Sequence, residues 1–183
     1  MGAVLVDPAA SFAVTLAEAK AHCRVDGTDD DTYLDGLIAA ANAHVENHTC
    51  RSIGEQTWLL SVGGFADEIA LPHGPVQSVT TLAYYDEAGG SQTLATGWAL
   101  DNTVEPARIV KNAGATWPQT QTRFDAVRIT YVAGYEEAPA PIKHAMLLLI
   151  CHWYENREAV GAAMQEVPLA VDALLSPYRR RRV

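Results

Sequence analysis

The chain has 183 residues, of which 49% are hydrophobic and 19% charged, with 22 acidic against 13 basic side chains and a formal net charge of −9. This composition excludes collagen, a coiled-coil rod and wholesale disorder. The longest apolar run, residues 145–151, falls far short of the ~20 residues that cross a bilayer.

The length suits one domain or a domain with an insertion. Such a chain buries roughly 70% of its unfolded surface, enough to hold a core without metal or disulfide. The charge is uneven. Arg179, Arg180, Arg181 and Arg182 lie together at the end, and the rest of the chain holds 9 basic against 22 acidic groups, a net −13. An acidic body with a basic tip suits docking onto other proteins and argues against general nucleic-acid binding. Cys23, Cys50 and Cys151 are odd in number and far apart, which reads as buried thiols of a reducing compartment with no disulfide framework. No basic stretch followed by an apolar one opens the sequence, so no signal peptide is expected.

Residues 15–52 read as helical. Thr15 and Glu18 have the spacing of a capping box and open a short helix through Ala21 and Cys23. The acidic stretch 26–31 breaks it, and Asp29 or Asp30 is expected to cap a longer helix, where a carboxylate also faces the positive end of the helix dipole. Leu34, Leu37, Ile38, Ala41 and Val45 then form one apolar stripe to about Thr49.

Residues 54–136 are rich in Thr, Val, Tyr and Gly, and turn signals recur. Strands are expected at 57–62, 68–71, 78–86, 93–100, 108–111 and 126–132. The turn 88–91 makes 78–86 and 93–100 a hairpin, and Pro72, Gly74 and Pro75 mark a corner.

The third region is helical again. Pro139 and Pro141 suit a helix start, and the helix is expected to run from Ile142 to about Glu158. Its centre, 146–151, is apolar on every side and so should be covered all round. Burying each large side chain there stabilises by roughly 1.5–3 kcal/mol. A looser link at 161–166 leads to a last short helix over 168–175, ended by Ser176 and Pro177. The fold class expected is α+β: a small helical bundle built from both chain ends, residues 1–53 and 138–183, around a β-rich insertion at 54–137.

Few residues suggest chemistry. His44 and His48, four apart with Glu46 between, have a spacing that can share a metal. The zinc-protease pattern, however, places Glu directly after the first His, and Val45 stands there. Two polar residues flanking the apolar stripe is the simpler account. The acids at 26–31 miss the glycine and glutamate positions of a calcium loop. Cys151 and His152 are neighbours on a helix and point about 100° apart, so they cannot pair as nucleophile and base. No phosphate loop, dinucleotide fingerprint or nucleophile elbow occurs. Trp58, Tyr84, Tyr85, Trp98 and Trp117 would have to carry a ligand- or carbohydrate-binding reading of the β region, but their spacing does not gather them on one face.

Trp153, Tyr154 and Arg157, at the end of the core helix, suit either an interface hot spot or a core edge covered by Arg157. Tyr178 and the four arginines form a second candidate contact. Four phosphate contacts would give a salt slope of about −3.6, weak for a DNA-binding domain on an acidic body. The tail makes better sense in an assembly where many copies converge, or against an acidic protein surface.

The order and spacing of several segments carry a resemblance. They are LAEAKAHCRVD at 16–26, DDDTYL at 29–34, AANAHVE at 40–46, YVAGY at 131–135, PIKHA at 141–145 and PYRR at 177–180. Together they resemble the head–tail connector (adaptor) proteins of long-tailed bacteriophages and phage-like gene-transfer agents. That resemblance implies a structural protein, with no enzyme activity and no cofactor. It implies a ring, typically dodecameric, at the head–tail junction of a particle assembled in the bacterial host cytoplasm. The ring would lie beneath the portal, join it to a stopper or tail-completion protein and extend a channel through which DNA passes without sequence-specific binding. No membrane is implied. The terminal segment 168–183 is then expected to dock on the portal or face the channel.

Overall fold

The computed structural model describes residues 2–157 and 169–180. Its elements in chain order are β1 (Gly2–Asp7), α1 (Leu16–Cys23), α2 (Asp31–Thr49), β2 (Gln56–Val62), β3 (Glu68–Ala70), β4 (Val76–Tyr85), β5 (Ser91–Thr93), β6 (Trp98–Asp101), β7 (Arg108–Lys111), β8 (Val127–Ala133), α3 (Ala140–Glu155) and α4 (Leu169–Leu175), followed by a 3-10 turn at Ser176–Tyr178. The class is α+β.

The chain divides into two compact units. One is Met1–Ala10 with Glu55–Gly134, the other Ser11–Gly54 with Tyr135–Val183. The first ten residues therefore do not belong with the helical ends, where the sequence reading put them. They run antiparallel to β2, from Gly2 opposite Ser61 to Asp7 opposite Thr57. The cause is non-local: β1 is a strand only because β2 supplies its hydrogen-bond partners, and nothing in residues 2–7 alone signals that pairing.

The sheet unit holds a five-stranded sheet in the order β1-β2-β8-β4-β5 and a three-stranded sheet in the order β3-β7-β6, all neighbours antiparallel. The two sheets share one core. Leu60, Leu82, Ile129 and Tyr131 from the large sheet cluster with Ile69 and Ile109 from the small one. β8 is the centre, and its burial alternates strictly, with Val127, Ile129, Tyr131 and Ala133 inside and Arg128, Thr130 and Val132 on the outer face. The Tyr131 hydroxyl, carried into this core, donates to the Pro72 carbonyl at 2.8 Å.

The expected strand at 93–100 is two strands in two sheets. β5 pairs with β4 only over residues 83–85, whereas β6 pairs with β7. Gly97, at φ +91°, sits at the break and takes a backbone conformation that side-chain-bearing residues rarely adopt. The β4–β5 hairpin closes through Asp86: its amide donates to the Gly90 carbonyl at 2.9 Å, and its carboxylate accepts the Gly90 amide at 2.8 Å.

In the helical unit the capping box forms. The Glu18 amide donates to the Thr15 hydroxyl at 3.3 Å, and Glu18 accepts the Thr15 amide at 2.8 Å. Glu18 also accepts from Lys143 on α3 at 2.8 Å. The Lys143 ammonium, then the Thr15 donors, hold the Glu18 carboxyl down at about 2. Leu34, Ile38, Ala41 and Val45 are buried as the stripe predicts, and Leu37 is half-buried. They pack against Ile142, Ala145, Met146, Leu149 and Ile150 of α3 and Val171 and Leu175 of α4.

Three expectations change here. Asp30 occupies the cap position of α2 but makes no side-chain cap bond, because its carboxylate is engaged elsewhere. The centre of α3 is not enclosed all round. Met146, Leu149 and Ile150 are buried, while Leu147, Leu148 and Cys151 on the remaining face are half-buried. The three cysteines are half-buried rather than buried. The link at 161–166, Glu158 and Pro168 lie outside the described residues.

Candidate functional site

The sequence-predicted contact residues fall into two groups on the helical unit. The first is built by the end of α3 and the start of α2. Tyr154 donates its hydroxyl to Asp30 Oδ2 at 2.6 Å, and Arg157 pairs with Asp30 Oδ1 at 3.0 Å. The Arg157 guanidinium also lies over two rings, 4.6 Å from the centre of Tyr33 and 4.7 Å from that of Tyr154. The Tyr154 hydroxyl and then Arg157 draw the Asp30 carboxyl below its ordinary range. Conversely, the Asp30 carboxylate raises both the Tyr154 phenol and the Arg157 guanidinium. Arg157 is thus neither a loose surface charge nor a simple cover. It is held by an anion and two aromatic faces while half of its side chain stays exposed.

Trp153 points elsewhere. Its ring meets His44 edge-on at 6.0 Å, and His44 stacks with His48 at 6.2 Å. Burial, then the neighbouring His48, pushes the His44 imidazole down. His48 lies 3.5 Å from Asp172, tying α4 to α2. Glu46 is committed to structure, because its carboxylate accepts the Ile53 amide at 2.9 Å and so holds the turn after α2. Among the described residues, no group of three His, Cys, Asp or Glu converges to hold a metal ion. Core-edge packing accounts for the His44–Glu46–His48 spacing.

The second group lies at the other end of α2, a helix of 19 residues and so roughly 28 Å long. The last carbonyls of a helix lack partners within it, and here the tail supplies one: the Arg180 amide donates to the Thr49 carbonyl at 3.0 Å. Arg51 Nε donates to the Tyr178 carbonyl at 2.7 Å, and the Tyr178 ring packs against the helical core. Arg179 is exposed and Arg180 half-buried, beside a helix end whose dipole favours cations. Arg181 and Arg182 lie outside the described residues.

Sequence reasoning missed Asp30, Tyr33 and Arg51 as partners. Asp30 is 124 and 127 residues from its two donors, and no local spacing reports such a pairing.

In the sheet unit the aromatics serve different packing roles. Trp58 stacks on His73 at 3.9 Å, Phe65 on Trp117 at 4.6 Å, and Tyr84 meets Phe65 edge-on. Tyr85 lies under Arg123 at 3.9 Å, and Trp98 donates to the Leu94 carbonyl at 2.8 Å. An open recess of about 340 Å³ is lined by Glu68, Glu105 and Arg108 among others. The guanidinium there already pairs with Glu68 at 2.5 Å and Asp101 at 3.2 Å. These are the features of a packed sheet domain, and they do not favour a ligand-binding module.

Residues 13–93 match the family described as phage gp6-like head-tail connector protein. A chain in the neck of a native GTA particle, computed with C12 symmetry, is 30% identical, with a TM-score of 0.79 over 100% of this chain and 97% of that one. The chain belongs to the head–tail connector family. Two further solved chains are similar to this connector over the same shares of each chain. One is in the neck of an empty GTA particle computed with C6 symmetry, at 28% identity and TM-score 0.80. The other is in the virion of a native gene transfer agent particle, at 29% and 0.78. No curated protein matches the connector's sequence. The connector is a structural adaptor of a phage-like particle, and the likeness extends beyond the family match to α3 and the sheet strands that follow residue 93.

Proposed function

We propose that this connector forms a ring at the head–tail junction, beneath the portal, where it joins the capsid vertex to a stopper or tail-completion protein and lengthens the DNA channel. The observation that carries this reading is the full-length likeness to neck chains solved with C12 and C6 symmetry. A ring of twelve satisfies both symmetries, since a twelvefold axis contains a sixfold one. The role is structural rather than catalytic, and assembly takes place in the bacterial host cytoplasm.

Two contact groups at opposite ends of α2 suit a protein with a neighbour on each side. The tail, with Tyr178 and Arg179 to Arg182, meets the portal. Trp153, Tyr154 and Arg157 serve a second protein contact, with Arg157 already positioned. The acidic remainder, at −13, leaves DNA free to slide, because like charge keeps it from adhering. Native mass spectrometry of the full chain mixed with the portal of the same particle tests the reading. A complex holding several copies of both proteins is expected. Two species that never associate, under salt conditions where the portal stays a ring, would overturn it.

A further inference from the structure

β1 is an edge strand of unusual composition. One side of it pairs with β2, and among the described residues no strand lies on the other. Natural sheets guard such edges with Lys, Pro or inward-pointing charges. Here residues 2–6 read GAVLV, and the first charge is Asp7, beyond the register shift. Val4 is 63% exposed, Val6 51% and Leu5 40%. The opposite edge differs in kind: β5 is three residues long, Ser91, Gln92 and Thr93, all exposed and polar.

On the outer face beside β1 the carboxylates lie at the margins: Asp7 is opposite Thr57, and Arg128 is paired with the buried Asp125 at 2.6 Å. Val4 lies opposite Leu59, Leu59 opposite Thr130, and Thr130 opposite Thr81. The next row runs from Ser61 to Arg128. On a chain with 22 acidic residues, an edge that carries no charge over residues 2–6 is where two like-charged copies can approach closely. A closed ring also needs unlike surfaces to meet, because pairing a patch with itself gives a two-fold dimer and stops. A sheet with one edge apolar over residues 2–6 and one short polar edge has that asymmetry.

We propose that β1 is a contact between neighbouring copies of this chain in the ring, its free edge and Val4, Leu5 and Val6 seating on a different surface of the next copy. The proposal rests on the ring reading above, and the test separates the two. The full-length Val4→Lys/Val6→Lys variant is compared with wild type by native mass spectrometry, each mixed with the portal, after circular dichroism and a thermal melt establish that both fold. Multi-copy species of the variant are expected only at tenfold or higher concentration, or not at all. A folded variant that assembles like wild type overturns the β1 contact and leaves the ring reading standing. If wild type itself forms no multi-copy complex, the ring reading falls and the β1 contact with it.

A photo-crosslinking residue in place of Val4 gives an answer that does not depend on the lysine variant folding. Products at multiples of 19.7 kDa, joined through a surface other than β1, support the proposal. Attachment only to another protein, or from β1 to β1, overturns it.

Discussion

Tyr154 and Asp30 are 124 residues apart in sequence and 2.6 Å apart in space. Their bond joins the end of α3 to the start of α2, and Arg157 completes it from the same helix end. One carboxylate therefore sets the geometry of both an aromatic and a cationic side chain.

The Asp30→Asn substitution should release Arg157 from the Tyr33 and Tyr154 rings. The expected result is a lower melting temperature and strong non-additivity with Tyr154→Phe, the double variant being little worse than Asp30→Asn alone, because that change already interrupts the Tyr154 bond. A cycle of thermal melts checks this. Full additivity would show that the two side chains act independently.

Glu18 predicts a pH dependence. Its folded value of about 2 lies below the ordinary 4.5, so the folded state binds its proton less readily than the unfolded chain. Its contribution is present above about pH 4.5 and is lost as pH falls toward 2. The stability difference between wild type and Glu18→Gln should be flat above pH 5 and shrink steadily below 4.5 in denaturant titrations. A difference that grows on acidification would contradict the assignment.

Thr15→Ala removes the other half of the capping box and should cost about 1 kcal/mol. For a chain of this length that lowers the melting temperature by roughly 3 °C. Leu149→Ala, in the helical core, and Ile129→Ala, in the sheet core, should each cost about 2–5 kcal/mol, since both side chains are fully buried. Equilibrium unfolding in urea measures all three.

Deleting residues 177–183 should abolish portal binding or particle completion. The deletion also removes the backbone bonds of Tyr178 and Arg180 to the end of α2. Replacing Arg179, Arg180, Arg181 and Arg182 together by Glu is therefore the cleaner variant. It should lower the melting temperature only modestly, through the lost favourable charges beside the α2 C-terminus, while weakening portal binding at least tenfold. Normal assembly by both variants would remove the tail from the contact.

The helical stripe of α2, the capping box and the strands β2, β4, β7 and β8 were legible because each is written in a local period or a local cap. The hairpin turn at 88–91 was legible for the same reason. The candidate contact residues Trp153, Tyr154, Arg157 and the terminal arginines stand out in the sequence by their chemistry. Their partners do not, since Tyr33 and Arg51 look like ordinary surface residues and Asp30 like a helix cap until the chain folds back on them.

The sequence by itself determined the α+β class, the acidic body with its basic end and, through the order and spacing of its segments, the connector family. Tertiary structure alone decided that residues 2–7 form an edge strand, that 93–100 divides between two sheets, and that Asp30 holds Tyr154 and Arg157 instead of capping its own helix. The physical reason is common to all three. A helix closes its hydrogen bonds within four residues, so its signal is local. A strand edge, a sheet assignment and an ion pair are completed by groups contributed from elsewhere in the chain, and their identity exists only after folding has brought those groups together.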